Sequence, residues 1–195
     1  MAEQTSARKW SDVKARLEAF DRKDLVSLLG DLYDASVGNR RFLHSRLTPG
    51  SRAIEEYRHL VADAIYPDPF STRRVSVRDA AAAIVEYRRS TGDASGTVDL
   101  MLTLLEAGTE QAADLGYGDE AYFNALQIRL DAVAKAFDSL PVDIGATVRA
   151  RLGRIQVRAR AVGWGWSDAV DEVVHALDAR AARVGTHVTA TRPAG

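Results

Sequence analysis

The chain has 195 residues, 46% hydrophobic and 27% charged, with a formal net charge of −1. That length suits one domain with enough apolar surface for a core, and the near-neutral balance gives no global electrostatic case for nucleic acid or an anionic membrane. The chain has no cysteine, which excludes disulfides, thiolate metal sites and cysteine nucleophiles, and no window approaches the roughly 18 apolar residues of a membrane span.

The opening MAEQTSARKW lacks the apolar stretch of a signal peptide, so a cytoplasmic protein that does not enter a membrane is expected. Residues 1–10 read as a flexible N-terminus. In DLVSLLGDLYDA, apolar side chains at Leu25, Val26, Leu28, Leu29, Leu32 and Tyr33 form one face of a helix. Asn39 precedes a short helix, RRFLHSRL, stopped by Thr48-Pro49-Gly50. Ser51 suits the cap of the next helix, which turns Ile54, Tyr57, Leu60, Val61, Ala64 and Ile65 inward until Pro67.

Residues 67–74, PDPFSTRR, read as a linker between helical halves, because two prolines cannot continue a helix and Asp68 is pushed toward extended backbone. Ser76 and Asp79 resemble a capping box before the alanine-rich helix AAAIVEYRR, and TGDASG breaks the chain again. VDLMLTLLEAGTEQAADL is the most apolar helix and is expected at the centre. Asp119 caps AYFNALQIRLDAVAKAF, SLPVD punctuates, IGATVRARLGRIQVRARAV follows, and WSDAVDEVVHALDARAARV closes the fold. Residues 185–195 read as a flexible tail. With no alternating strand pattern, the sequence predicts an all-α fold over residues 11–184. It comprises eight or nine short-to-medium helices in one irregular bundle or a short α-solenoid-like array.

Two Glu-x-x-His units, Glu56/His59 and Glu172/His175, would supply four of the six ligands of a di-iron bundle, which adds a lone Glu from each of two other helices. At about 100° per residue, with Ile54 as zero, Val61, Tyr57 and Ile65 fall near −20°, −60° and +20°, whereas Glu56 and His59 fall near 200° and 140°. Glu172 and His175 take the same far-side angles, about 200° and 140°, when Val170 is zero. Ligands must face a bundle's interior, so these read as solvated faces and no metal is expected. His44 and His187 have no Ser or Asp pattern suggesting a triad, and no Gly-x-x-x-x-Gly-Lys phosphate loop exists. Neither a catalytic set nor a cofactor is expected.

RARLGRIQVRAR, residues 149–160, holds five arginines and no acid. Arg151, Arg154 and Arg158 share one face opposite Val148, Leu152, Ile155 and Val162. That row reads either as a surface for phosphates or an acidic partner, or as a solvated face balanced by acids from neighbouring helices such as Asp168, Asp171 and Glu172. Arg73, Arg74 and Arg78 pose the same choice around the linker. The 22 Arg against 4 Lys also follow from a GC-rich genome.

VGWGWSDAV, residues 162–170, sets two tryptophans between glycines where the last helix begins. Gly163 fits a left-handed helix end and Gly165 a close turn, with Asp168 or Ser167 as cap. Trp164 and Trp166 then read as wedges between the last two helices. The alternative leaves an indole exposed beside Arg158 and Arg160, a stacking surface for an aromatic, nucleotide or peptide ligand.

In order, DLVSLLGDLYDASVGNRRFLHSRL, EEYRHLVADAIYPDP, DLMLTLLEAGTEQAADLGYGDEAYFNAL and VGWGWSDAVDEV resemble an uncharacterised bacterial all-helical family, a domain of unknown function with a C-terminal GWG element. The resemblance spans roughly residues 20 to 178. It implies a helical fold and a bacterial origin, and no activity. The family's second aromatic after GWG is here Trp166, and Ser167 stands where the family places a histidine, so no role for that histidine transfers.

The function expected from these residues is a non-catalytic helical module that binds a protein partner, adaptor-like or regulatory. The alternatives are nucleic-acid or nucleotide binding through the arginine helix and the Trp164/Trp166 corner, and an enzyme whose site shows no motif.

Overall fold

A computed structural model describes residues 9–48, 51–68, 70–163 and 165–190, with side chains at all of these but 51, 52 and 183–190. Among the described residues there are nine α-helices, one 3-10 turn and no strand. The helices are α1 (Trp10–Leu17), α2 (Arg22–Ala35), α3 (Val37–Leu47), α4 (Ser51–Ile65) and α5 (Val77–Thr91), followed by α6 (Ala94–Leu115), α7 (Glu120–Ala136), α8 (Val142–Ala159) and α9 (Trp166–Ala190).

Side-chain caps set many of the starts. Asp21, Ser36, Ser76, Asp93 and Asp119 each accept a hydrogen bond from the backbone N–H three residues on, satisfying an orphan donor of the first turn. Ser76 makes only its own half of the expected box, for its N–H donates instead to Ala64 O at 2.7 Å. The helix after Asn39 starts earlier than the sequence predicts, at Val37, because Ser36 supplies the cap. Ser51 is the first residue of α4, and its side chain lies outside the described residues. The break at TGDASG is shorter than expected. Gly92, at φ +70°, ends α5, and Asp93 caps α6 at once, which draws Ser95, Gly96 and Thr97 into the helix. At the other end α9 runs to Ala190, through part of the predicted tail; residues 191–195 lie outside the described ones.

The most apolar helix, α6, packs against α4, α5, α7 and α8, and α9 lies over α7 and α8. Leu100, Leu102, Leu104 and Leu105 of α6 are at most 1% exposed, each worth about 2 kcal/mol of transfer free energy. Tyr57, Val61 and Ile65 of α4 and Leu126, Leu130 and Val133 of α7 complete the centre with no exposed surface. The polar contacts fix helix directions. Arg58 pairs with Asp99, and Tyr66 donates to Asp114, so α4 and α6 run the same way. Arg151 reaches Asp99 and Glu106 while Arg158 reaches Asp114, so α8 also runs parallel to α6. The described residues 67, 68 and 70–74 lie on the return between α4 and α5, which pack against each other. No described helix is long and apolar enough to cross a membrane.

Candidate protein-interaction surface

The N-terminal hairpin departs from the core pattern. Helix α3 packs on α5 and α2 packs on α3, and not one residue of α2 is buried. Polar contacts join the two helices. Tyr33 Oη and His44 Nε2 are 3.0 Å apart, with the rings edge to face at 5.6 Å. Asn39 Nδ2 donates to Leu32 O at 2.7 Å, and Arg40 Nη1 donates to Tyr33 O at 3.5 Å.

Taking Leu25 as zero at about 100° per residue, Leu29 lies near 40°, Leu32 near −20° and Val26 near 100°. These three belong to the apolar side that the sequence marks for burial, yet they are 47%, 46% and 61% exposed. Next along the same side, Leu25, Leu28 and Tyr33 are half-buried. One edge of this side is acidic, for Asp24 and Asp31 fall near −100° and −120°, with Asp34 further round near 180°. All three are exposed and none takes part in an ion pair among the described residues. Trp10 and Val13 of α1 and Phe20 before α2 are 69%, 41% and 44% exposed, and they extend the apolar character of the N-terminal segment. An apolar helix side with a charged edge, left open to water, is the form that receives an amphipathic partner helix.

The arginine row is balanced by acids of a neighbouring helix, as the second sequence reading has it, but Arg151 is not solvated. Arg151 lies against α6, where Nε and Nη2 meet Glu106 at 2.9 and 2.6 Å. Its Nη1 meets Asp99 Oδ1 at 2.7 Å and its Nη2 donates to Thr103 Oγ1 at 3.1 Å. Its side chain is only 12% exposed. Arg154 lies 3.6 Å from Glu106 and is mostly exposed. Arg158 is paired with Asp114. The neighbouring helix that supplies the counter-charges is α6, rather than the helix of Asp168, Asp171 and Glu172 that the sequence reading takes as its examples. The groove of about 480 Å³ beside the row is lined by Glu106 and Glu110 as well as Arg154 and Arg158, so its charges balance. The same carboxylates extend to α4. The Asp99 carboxylate, accepting from Arg58, raises that guanidinium's pKa above its ordinary value.

At the GWGW corner, Gly163 and Gly165 take positive φ of 101° and 89°, where a Cβ is strained. Asp168 accepts from the Gly165 N–H at 3.4 Å. Trp166 is buried, donating from Nε1 to Thr109 Oγ1 at 3.1 Å and tilted against Phe123 at 6.2 Å. Trp164 lies outside the described residues. Glu56, His59, Glu172 and His175 are all exposed, as their helical angles require, and Glu56 accepts from Arg41 at 3.2 Å. Among the described residues no group of three potential ligands gathers for a metal. The sequence marked the apolar side of α2 but gave no sign that it stays open, because a helical period identifies a face and not what covers it.

No known family, curated protein or solved structure matches the chain.

Proposed function

We propose that the chain is a non-catalytic helical interaction module whose partner surface is the open apolar side of α2. The partner element is an amphipathic helix with Lys or Arg along one edge, laid beside Leu29 and Leu32 with its basic edge toward Asp24 and Asp31. The observation that carries this reading is the exposure of Val26, Leu29 and Leu32 on a helix with no buried residue. Desolvating those three side chains offers a partner several kcal/mol at about 25 cal/mol per Å². The acidic edge sets the orientation and favours basic partners over acidic ones.

The nucleic-acid alternative draws less support. Of the named arginines, Arg151 and Arg158 already share α6 carboxylates, and the buried indole of Trp166 has no free face for a base. The bacterial family resemblance agrees with an all-helical module and adds no activity to it.

The test compares the native chain with Leu29→Asp/Leu32→Asp, each recovered gently from the cells that make it. The doublet should keep its melting temperature and lose a stoichiometric protein that the native chain retains. An unchanged set of bound proteins would overturn the reading.

A further inference from the structure

A second site is marked by an unsatisfied atom rather than by an open face. Gln111, on the last turns of α6, is 5% exposed, and its Oε1 is buried with no hydrogen-bond partner in the protein. A buried acceptor left unmatched costs about 1–3 kcal/mol, so such groups in folded proteins point to a function or an unseen partner. Gln111 lines a cleft of about 390 Å³ where the 67–74 return meets the end of α6. That volume lies at the small end of ligand sites, about 300–1,000 Å³, and suits one small molecule.

The other walls of the cleft restrict its chemistry. Tyr66 and Tyr117 stand on it 39% and 43% exposed, and Leu115 is 63% exposed, which offers flat apolar surface. Arg73 and Arg74 supply two cations. Arg73 sits 3.7 Å from Asp63, and Arg74 has no ion pair among the described residues. The one carboxylate on the rim, Asp68, already accepts from the Phe70 N–H at 2.8 Å. A ligand that satisfies all three features has an N–H donor for Gln111, a planar ring for the tyrosines and an anionic group for Arg74. The carboxamide offers an acceptor beside a donor, which matches the amino-and-ring-nitrogen edge of adenine. Arginine is the better fork for phosphate, and bases stack on tyrosine regardless of sequence.

From this we infer that the cleft between the 67–74 return and the end of α6 binds an adenine mononucleotide, read by Gln111 and anchored by Arg74. The site is independent of the α2 surface and stands whether or not that surface binds a partner.

Calorimetric titration of the full chain with AMP, adenosine and inorganic phosphate tests it. AMP should bind saturably and more tightly than either fragment. Arg74→Ala should weaken AMP about tenfold, the value of one charge-assisted contact, and leave adenosine unchanged. Gln111→Leu removes the orphaned acceptor at nearly constant volume, so it should raise the melting temperature while weakening both AMP and adenosine about tenfold. A folded Gln111→Leu chain that binds AMP as well as the native one would overturn the inference. So would the absence of saturable AMP binding up to about 1 mM, a weak affinity for a specific site. Phosphate binding alone, insensitive to Gln111, would reduce the site to an anion contact and also contradict it.

Discussion

The indole Nε1–H of Trp166 donates to Thr109 Oγ1 at 3.1 Å across 57 positions of sequence. Thr109, fully buried, passes the chain on, donating its own hydroxyl hydrogen to Leu105 O at 2.7 Å. This contact fastens the start of α9 to the middle of α6. Trp166→Ala should lower stability by about 3–5 kcal/mol. Thr109→Val keeps the shape and strands the indole N–H, so it should cost about 1–3 kcal/mol, and Thr109→Ser should cost less. Urea denaturation curves measure all three, and a loss below about 0.5 kcal/mol for Trp166→Ala would mean that the corner is not packed.

Arg151 is the hub of the charge layer between α6 and α8. Truncating it to Ala removes the closest cation of both Asp99 and Glu106, leaving Asp99 to Arg58 and Glu106 to the more distant Arg154. The expected loss is about 1.5–3 kcal/mol, the range for hydrogen bonds to charged groups. Arg154→Ala removes a mostly exposed partner and should cost under about 1 kcal/mol. Comparable losses from the two substitutions would contradict this ranking.

Gly96 is pinned by its neighbours. A Cβ there would stand 2.4 Å from both Tyr87 Oη and Asp93 Oδ2, the pair joined by a 2.7 Å hydrogen bond. Gly96→Ala should therefore destabilise the chain, although alanine favours a helix interior by about 1 kcal/mol. Gly153, also within a helix, has nothing within 4 Å of a Cβ. Gly153→Ala should stabilise by up to about 1 kcal/mol, and thermal melts of the two variants should shift in opposite directions.

Alkaline pH should unfold the protein through its buried tyrosines. Burial, then donation to Glu86, pushes the Tyr57 hydroxyl up to about 12, and burial also raises Tyr87 and Tyr122. A folded pKa above the unfolded value of about 10 means that the folded state prefers the neutral phenol. That contribution is fully present below pH ~10 and is lost as pH rises toward ~12. For Tyr57 alone the loss is on the order of 2–3 kcal/mol. Tyr57→Phe should be less stable at neutral pH, where Glu86 loses the shorter of its two donors and keeps Arg41, and should show a shallower alkaline decline. An equally steep decline would assign the effect to the other two tyrosines.

Much of the architecture was legible in the sequence for local reasons. Ser76 and Asp119 mark helix starts through contacts three residues away, and Tyr57, Val61 and Ile65 reveal their inward face by spacing alone. The charge layer was not legible. Arg151 and Asp99 are 52 residues apart, and only the parallel course of α6 and α8 brings them together. The α2 side was half legible, since its period shows Leu29 and Leu32 on one face while their exposure depends on α3 docking through polar contacts. The Gln111 orphan left no sequence signal, for a glutamine in an apolar helix looks like any exposed one until its neighbours close over it.

Whether the open side of α2 receives a partner helix can be read by placing a photoreactive phenylalanine analogue at Leu29 and irradiating the cells that make the protein. The same label at Val157, exposed on α8, is the reference. A partner helix on α2 should give one dominant adduct from Leu29, to a different protein and through a basic amphipathic segment, and none of that species from Val157. Equal adducts from both positions, none from Leu29, or a cross-link only to a second copy of this chain would contradict it.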